Sequence, residues 1–185
     1  MENSIIGFLV ISVVSYLAGS ITGAFYIIKW QTGQDIRKIG SKNVGATNAG
    51  RILGKKGFLL TLLIDAAKVF ITLFLVKEGL AGSDFALILS AVFLCIGHLF
   101  PIQLRFHGGK GVVVYLASAL FLVPLTIGAA AAVMGAAYLL LHRYKTAGFL
   151  AMTSIPVAAF LIEDSFILPS GLLFLFITVI LSHNK

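Results

Sequence analysis

Apolar residues fall into six long runs, 5–28, 57–76, 85–104, 112–141, 147–162 and 166–182, separated by short polar stretches. Crossing the hydrocarbon core of a bilayer takes about 20 helical residues. The pattern therefore predicts an all-α, polytopic bundle of transmembrane helices. The fourth run is too long for one ordinary span: its 30 residues would form a helix of about 45 Å, against a core of about 30 Å. Pro124 stands near its middle, where proline removes a helical hydrogen bond and crowds the preceding turn. Two short helices here give seven spans in all; one tilted helix gives six.

Charge favours seven. The stretch 29–56 carries Lys29, Arg37, Lys38, Lys42, Arg51, Lys55 and Lys56 against Asp35 alone, and lysine- and arginine-rich loops remain in the cytoplasm. The next polar stretch, with Lys77, Glu78 and Asp84, then falls outside, and Arg105 and Lys110 fall inside. If 112–141 turns back at Pro124, Arg143 and Lys145 are cytoplasmic, Glu163 and Asp164 are external, and Lys185 ends inside. A single span there inverts these last three positions. The expected topology has seven spans, with the N-terminus outside and the C-terminus in the cytoplasm.

Composition narrows the class. Of the 185 residues, 59% are hydrophobic and 11% charged, where a soluble domain carries about 25% charged residues. One transmembrane domain over 1–185 is expected, with no separate soluble domain. The first run lacks a basic leader and reads as a retained helix. Cys95, the only cysteine, reads as a small buried thiol. The net charge of +7 is explained by sidedness and an anionic substrate; no interleaving of basic and aromatic residues points to nucleic acid. No grouped ligands suggest a metal site.

Three stretches carry candidate chemistry. In 40–51, Gly40-Ser41-Lys42-Asn43-Val44-Gly45-Ala46-Thr47-Asn48-Ala49-Gly50-Arg51, small residues allow backbone N–H groups to converge on an anion. A P-loop is excluded, because Ala46 stands where its lysine belongs; a flexible interhelical loop is the competing reading. The second stretch is Gly97-His98-Leu99-Phe100-Pro101 with Phe106-His107-Gly108-Gly109-Lys110-Gly111. Glycines around a lysine at a membrane boundary suit phosphate, although a helix stop and a positive-inside lysine explain them equally. His98 reads as a structural hydrogen-bonding group. The third is Asp65 and Lys68, spaced i and i+3 on one helix face, as a structural ion pair or as groups facing a polar site. His183 follows the last run. Neither a Gly-x-Ser-x-Gly elbow nor a His-x-x-x-x-Asp acyltransferase signature is present.

In this order and spacing, the motifs resemble those of the bacterial acyl-phosphate-dependent glycerol-3-phosphate acyltransferases, the PlsY family. The resemblance covers nearly the whole chain. Tyr16-Leu17-Ala18-Gly19-Ser20-Ile21 is similar to the end of that family's first helix, with Thr22 at a common proline. Ser41 to Asn48 with Arg51 matches its first signature, Asp65 and Lys68 its Asp-x-x-Lys, and Gly97 to Gly111 its second signature. Val114 departs from a common threonine, and Thr146-Ala147-Gly148-Phe149 replaces a Ser-Leu-x-Ser stretch. His183-Asn184-Lys185 matches the first three positions of a His-x-x-Asn signature, and the chain reads as truncated before the asparagine.

The resemblance implies acyl transfer from acyl phosphate to the 1-hydroxyl of sn-glycerol 3-phosphate, the first step of membrane phospholipid synthesis. It implies no cofactor and no metal, membrane lipids as surroundings, a functional monomer, and a site facing the cytoplasm from the bacterial inner membrane. Lys110, Arg51, His183 and Ser41 are implied as catalytic and glycerol-3-phosphate-binding. Asn43, Gly45, Ala46, Thr47, Asn48, Lys68, Gly108, Gly109 and Gly111 are implied for acyl phosphate. Asp65, His98 and Thr146 are implied as supports. Substrate phosphate is the favoured proton acceptor, with His183 binding or orienting. An organic-phosphate transporter and an inactive membrane partner are the alternatives.

Overall fold

The computed structural model describes residues 2–79 and 83–183. They form α1 (Glu2–Ser20), α2 (Gly23–Thr32), a 3-10 turn at Ile36–Lys38, α3 (Ala46–Gly79), α4 (Asp84–Leu99), a 3-10 turn at Ile102–Leu104, α5 (Val112–Leu122), α6 (Leu125–Leu141), α7 (Tyr144–Ile162) and α8 (Ile167–His183). Asn184 and Lys185, the end of the third signature, lie outside the described residues. Among the described residues, four stretches are long and apolar enough to cross a membrane: Ile5–Thr32, Ala46–Gly79, Asp84–Leu104 and Tyr144–Ile162.

The fourth apolar run does break at Pro124, giving α5 and α6. Their 11 and 17 residues correspond to about 16 and 25 Å, so neither spans a full core alone. The first run, read as one helix, is corrected: Ile21 and Thr22 are non-helical and separate α1 from α2. The second helix begins before its apolar run, at Ala46, because Gly54 (φ 64°, ψ −157°) kinks the chain in a region essentially reserved for glycine. The polar first turns of α3 thus stack on its apolar body at an angle.

The bundle is held by close packing, since lipid gives no hydrophobic drive for one helix to leave it for another. α1 and α4 run parallel, as their matched contacts show. Phe8 meets Phe85 edge to face at 5.3 Å, and the Ser15 and Ser90 hydroxyls are 2.8 Å apart. Gly19 lies against the Leu94 carbonyl and Gly97 against the Tyr16 carbonyl, with no room for a Cβ at either glycine. α8 follows the same direction: Gly171 rests on Ile88, while Gly111 has Cys95 and Val179 on either side. Leu73, Leu94, Tyr115, Ile155, Leu172 and Leu175 fill the main core, and Cys95 is a free buried thiol.

A second, smaller core lies under the polar loops. Ala24, Ile28, Ile36, Val44, Ala49 and Leu104 pack together, with Ile36 and Ala49 fully buried. The stretch 33–45 is therefore a packed structure on its own apolar floor, and the flexible-loop reading is set aside.

Candidate active site

A cleft of about 740 Å³ opens where the loop 33–45, the loop 100–111 and the end of α8 meet. Its walls carry Arg37, Lys38, Lys42, Arg105 and Lys110 against one carboxylate, Asp35. Such an excess of cations in a concave, partly desolvated site attracts anions.

Asp35 begins the construction. Its carboxylate caps the 3-10 turn by accepting the Arg37 N–H at 3.0 Å, and it receives the guanidinium at 2.6 Å from Nη2 and 2.9 Å from Nε. These side-chain hydrogen bonds from Arg37 hold the carboxyl down at about 2, against the opposing effect of burial. The same contacts raise the Arg37 pKa above its ordinary value. Arg37 Nη1 then donates to the Leu104 carbonyl at 2.8 Å, and its guanidinium covers the Phe25 ring at 5.5 Å. One side chain thus joins both loops to α2.

Asn48 organises the other half of the first loop. Its amide nitrogen donates to the carbonyls of Asn43 (3.0 Å) and Ile39 (3.1 Å), and its oxygen accepts the Ser41 N–H at 2.8 Å. Gly40 (φ 58°) turns directly over this amide, where a Cβ would collide with the oxygen. The Asn48 side chain is fully buried. Its amide nitrogen and oxygen together shape the loop. Asn43 and Ser41 line the cleft.

Gly45 accepts the N–H groups of Asn48 and Ala49, so Ala46 and Thr47 are the leading amides of α3. Such amides are directed at the helix N-terminus, where an anion is stabilised. Ala46 is buried and Thr47 exposed. Thr47 and Arg51 do not line the cleft. They share a shallow groove of about 540 Å³ with Lys55, Phe58 and Leu59 beside the Gly54 kink. Arg51 thus lines this groove, while Lys110 lines the cleft.

The glycines of the second loop close the end of α4. Gly108 N–H donates to Leu99 O at 3.1 Å and Gly109 N–H to His98 O at 3.0 Å. Those amides satisfy the carbonyls that end α4 and are not free to cradle phosphate. Glycine is needed because a Cβ at 108 would strike the His98 carbonyl and one at 109 the His98 ring. Gly111 (φ 80°) begins α5 in the left-handed region. Lys110 lines the cleft, and its carbonyl lies 2.8 Å from the Ser182 hydroxyl, which also lies 2.7 Å from the Val179 carbonyl.

His183 is partly buried at the end of α8, its ring edge-on to Phe149 at 5.3 Å. Its neighbour Ser182 lines the cleft, while Thr146 is exposed in the first turn of α7 and does not. Below the cleft, Lys68 Nζ lies 3.1 Å from Asp65 Oδ1 and 3.0 Å from His98 Nδ1. It also donates to the carbonyls of Gly19 and Ile21. Lys68 is thus buried with four polar partners. Asp65 and His98 are buried beside it.

Sequence reasoning did not assign Ser182, Arg37, Lys38, Lys42, Arg105 or His107 to the site. The adjacency of Ser182 to His183 was a usable signal. Arg37, Lys38 and Arg105 enter the sequence reading only through sidedness, whereas Lys42 and His107 lie inside the candidate stretches.

An apolar helical bundle with a cation-lined cleft at one end defines an integral membrane protein built to handle an anion next to lipid. The chain belongs to the glycerol-3-phosphate acyltransferase family, whose model matches residues 9–185. It is 36% identical over 179 residues to glycerol-3-phosphate acyltransferase 1 of Desulfitobacterium hafniense, covering 92% of this chain and 84% of that one. It is 34% identical over 176 residues to glycerol-3-phosphate acyltransferase 1 of Bacillus cereus, covering 94% of each. Among solved structures, it is similar to PlsY (YgiH), an integral membrane glycerol 3-phosphate acyltransferase, in two forms. The glycerol 3-phosphate form matches at a TM-score of 0.85 and 29% identity, covering 96% of this chain and 88% of that one. The lysophosphatidic acid form matches at 0.82 and 28%, covering 95% and 87%.

Proposed function

We propose that this protein transfers a fatty acyl group from acyl phosphate to the 1-hydroxyl of sn-glycerol 3-phosphate. The products are lysophosphatidate and inorganic phosphate. The observation that carries this reading is the cleft, with five basic side chains and one acid, set at the end of a lipid-facing bundle. Relatives in glycerol 3-phosphate and lysophosphatidic acid forms support the acceptor and product.

Both substrates are anions. Two unit charges 4 Å apart repel by about 4 kcal/mol at an effective dielectric of 20, so the first task of the site is to offset that repulsion and orient the pair. Lys110 and Ser41 serve the glycerol 3-phosphate side, with His183 orienting from the rim. Thr47, Arg51 and the leading amides of α3 serve the acyl-phosphate head. The acyl chain runs along Phe58 and Leu59 toward lipid. The hydroxyl oxygen bonds to the carbonyl carbon, the carbon–oxygen bond to phosphate breaks, and the phosphate departs. The hydroxyl proton passes to a substrate phosphate oxygen. Phosphate is a good leaving group, so no covalent enzyme intermediate is required.

The chain forms one domain over 1–185 with seven membrane segments, the short α5 and α6 entering and returning as a pair, its N-terminus outside and its site facing the cytoplasm. The parallel course of α1, α4 and α8 supports this, since it requires α5 and α6 to go in and return. Basic residues in both cleft loops support the cytoplasmic side.

Purified protein given acyl phosphate and labelled glycerol 3-phosphate is expected to yield lysophosphatidate and phosphate. Acyl-CoA and acyl carrier protein donors, run in parallel, test the donor. Uptake of the organic phosphate into vesicles without acylation would replace this reading with a transporter.

A further inference from the structure

Beneath the cleft lies a buried charged cluster that the acyl transfer does not itself use. Lys68 Nζ lies 2.9 Å from Gly19 O, 2.7 Å from Ile21 O and 3.0 Å from His98 Nδ1. Asp65 Oδ1, 3.1 Å away, also accepts the Gly23 N–H at 3.1 Å. An ammonium group only donates. Nδ1 of His98 must therefore accept, and a neutral ring carries its hydrogen on Nε2. A protonated ring would set an N–H against the ammonium. With the ring neutral, Asp65 and Lys68 cancel and the cluster bears no net charge, as burial at this depth favours.

Nε2 is the ring atom that faces the cleft loop. A Cβ placed on Gly109 would collide with Nε2 on one side and lie 2.6 Å from Val44 O on the other. The backbone carbonyl of His98 meanwhile accepts the Gly109 N–H at 3.0 Å. One residue thus holds Gly109 through both its ring and its backbone, and Gly109 immediately precedes Lys110. We infer that His98 is a positioning residue: oriented by Lys68 and Asp65, its ring seats Gly109 and so fixes where the Lys110 ammonium stands in the cleft. This rests on the proposed role of Lys110 in binding glycerol 3-phosphate.

His98→Asn preserves an acceptor for Lys68 but removes the ring atoms against Gly109. It is expected to raise KM for glycerol 3-phosphate roughly tenfold, as coupled neighbours do, with kcat changed less. In a Lys110→Ala background the same substitution is expected to add nothing further. Effects that add fully in the double variant, or an unchanged KM in the single one, overturn the inference. Should His98→Asn fail to fold, Gly109→Ala disturbs the same contact from the other side and is read in the same cycle. A wild-type protein without acyl transfer would sink the proposed reaction instead. The inference would then be decided by nitrogen NMR of histidine-labelled protein. The signal lost in His98→Asn should show a protonated Nε2 and a bare Nδ1, and should shift in Lys68→Met. A protonated Nδ1, or no response to Lys68→Met, overturns it.

Discussion

The Ser182 hydroxyl lies 2.8 Å from the carbonyl of Lys110, 72 positions away, and 2.7 Å from that of Val179, so its one proton is shared between the two acceptors. The contact with Lys110 ties the end of α8 to the loop that carries a cleft cation. A typical hydrogen bond contributes about 1 kcal/mol net. Ser182→Ala is therefore expected to raise KM for glycerol 3-phosphate severalfold and to leave kcat within about twofold, since 1.4 kcal/mol is a factor of ten. Steady-state kinetics with each substrate varied in turn would check this. A fall in kcat at unchanged KM would contradict it.

Lys110→Ala should be far more damaging. Removing a charge-assisted contact to phosphate costs about 3 kcal/mol, or roughly a hundredfold in kcat/KM. Lys110→Arg should recover only part of the loss, because a planar fork does not occupy the place of a compact ammonium. Wild-type turnover in the alanine variant would remove Lys110 from the site.

Asn48→Ala should loosen the first loop without altering any proposed ligand side chain. Buried carbonyls of Asn43 and Ile39 lose their donor and the Ser41 N–H its acceptor. Unsatisfied buried groups cost about 1–3 kcal/mol each. Trypsin should then cleave near Lys38 and Lys42 at concentrations that leave the wild type intact.

The pair Asp35–Arg37 gives a pH signature. The folded carboxyl titrates at about 2, below its ordinary 3.8. Its contribution is thus fully present above 3.8 and is lost as pH falls through about 2. Asp35→Asn should melt at a lower temperature than the wild type at pH 6, and the difference should shrink as pH approaches 2. A constant difference at every pH would show that the pair does not hold the loop.

Topology can be tested at Arg143. In Cys95→Ala protein, Arg143→Cys should react with an impermeant thiol reagent only from the cytoplasmic side. Labelling from outside would mean that α5 and α6 do not return at Pro124.

The helices were legible because apolar length and one central proline speak directly through membrane thickness. The break at Ile21–Thr22 was not, since both flanks are apolar and the break is held by Lys68, which lies 47 residues beyond Ile21. In the site, the glycines of the second loop were recognisable but their role was not. A sequence marks where a Cβ is missing, and only the fold shows whether the gap admits a substrate or a neighbouring helix end. The same holds for Asn48, whose partners lie 5 and 9 residues away across turns that spacing does not specify. Arg51 and Lys110 share a charge, and only the fold shows that Lys110 lines the cleft while Arg51 lines the groove beside Gly54.

The contacts of Gly19 with Leu94 and Gly97 with Tyr16 bear on how substrates reach the cleft. Two helices touching backbone to backbone have no side chains between them to change rotamer, so they cannot part or slide in small steps. Breathing that admits a lipid-soluble donor is then expected at the groove of Thr47 and Arg51, where Gly54 sets off the start of α3 as a separate short lever. Replacing Gly54 with a residue that straightens this lever would then slow entry of the donor while leaving the water-soluble acceptor free to come and go.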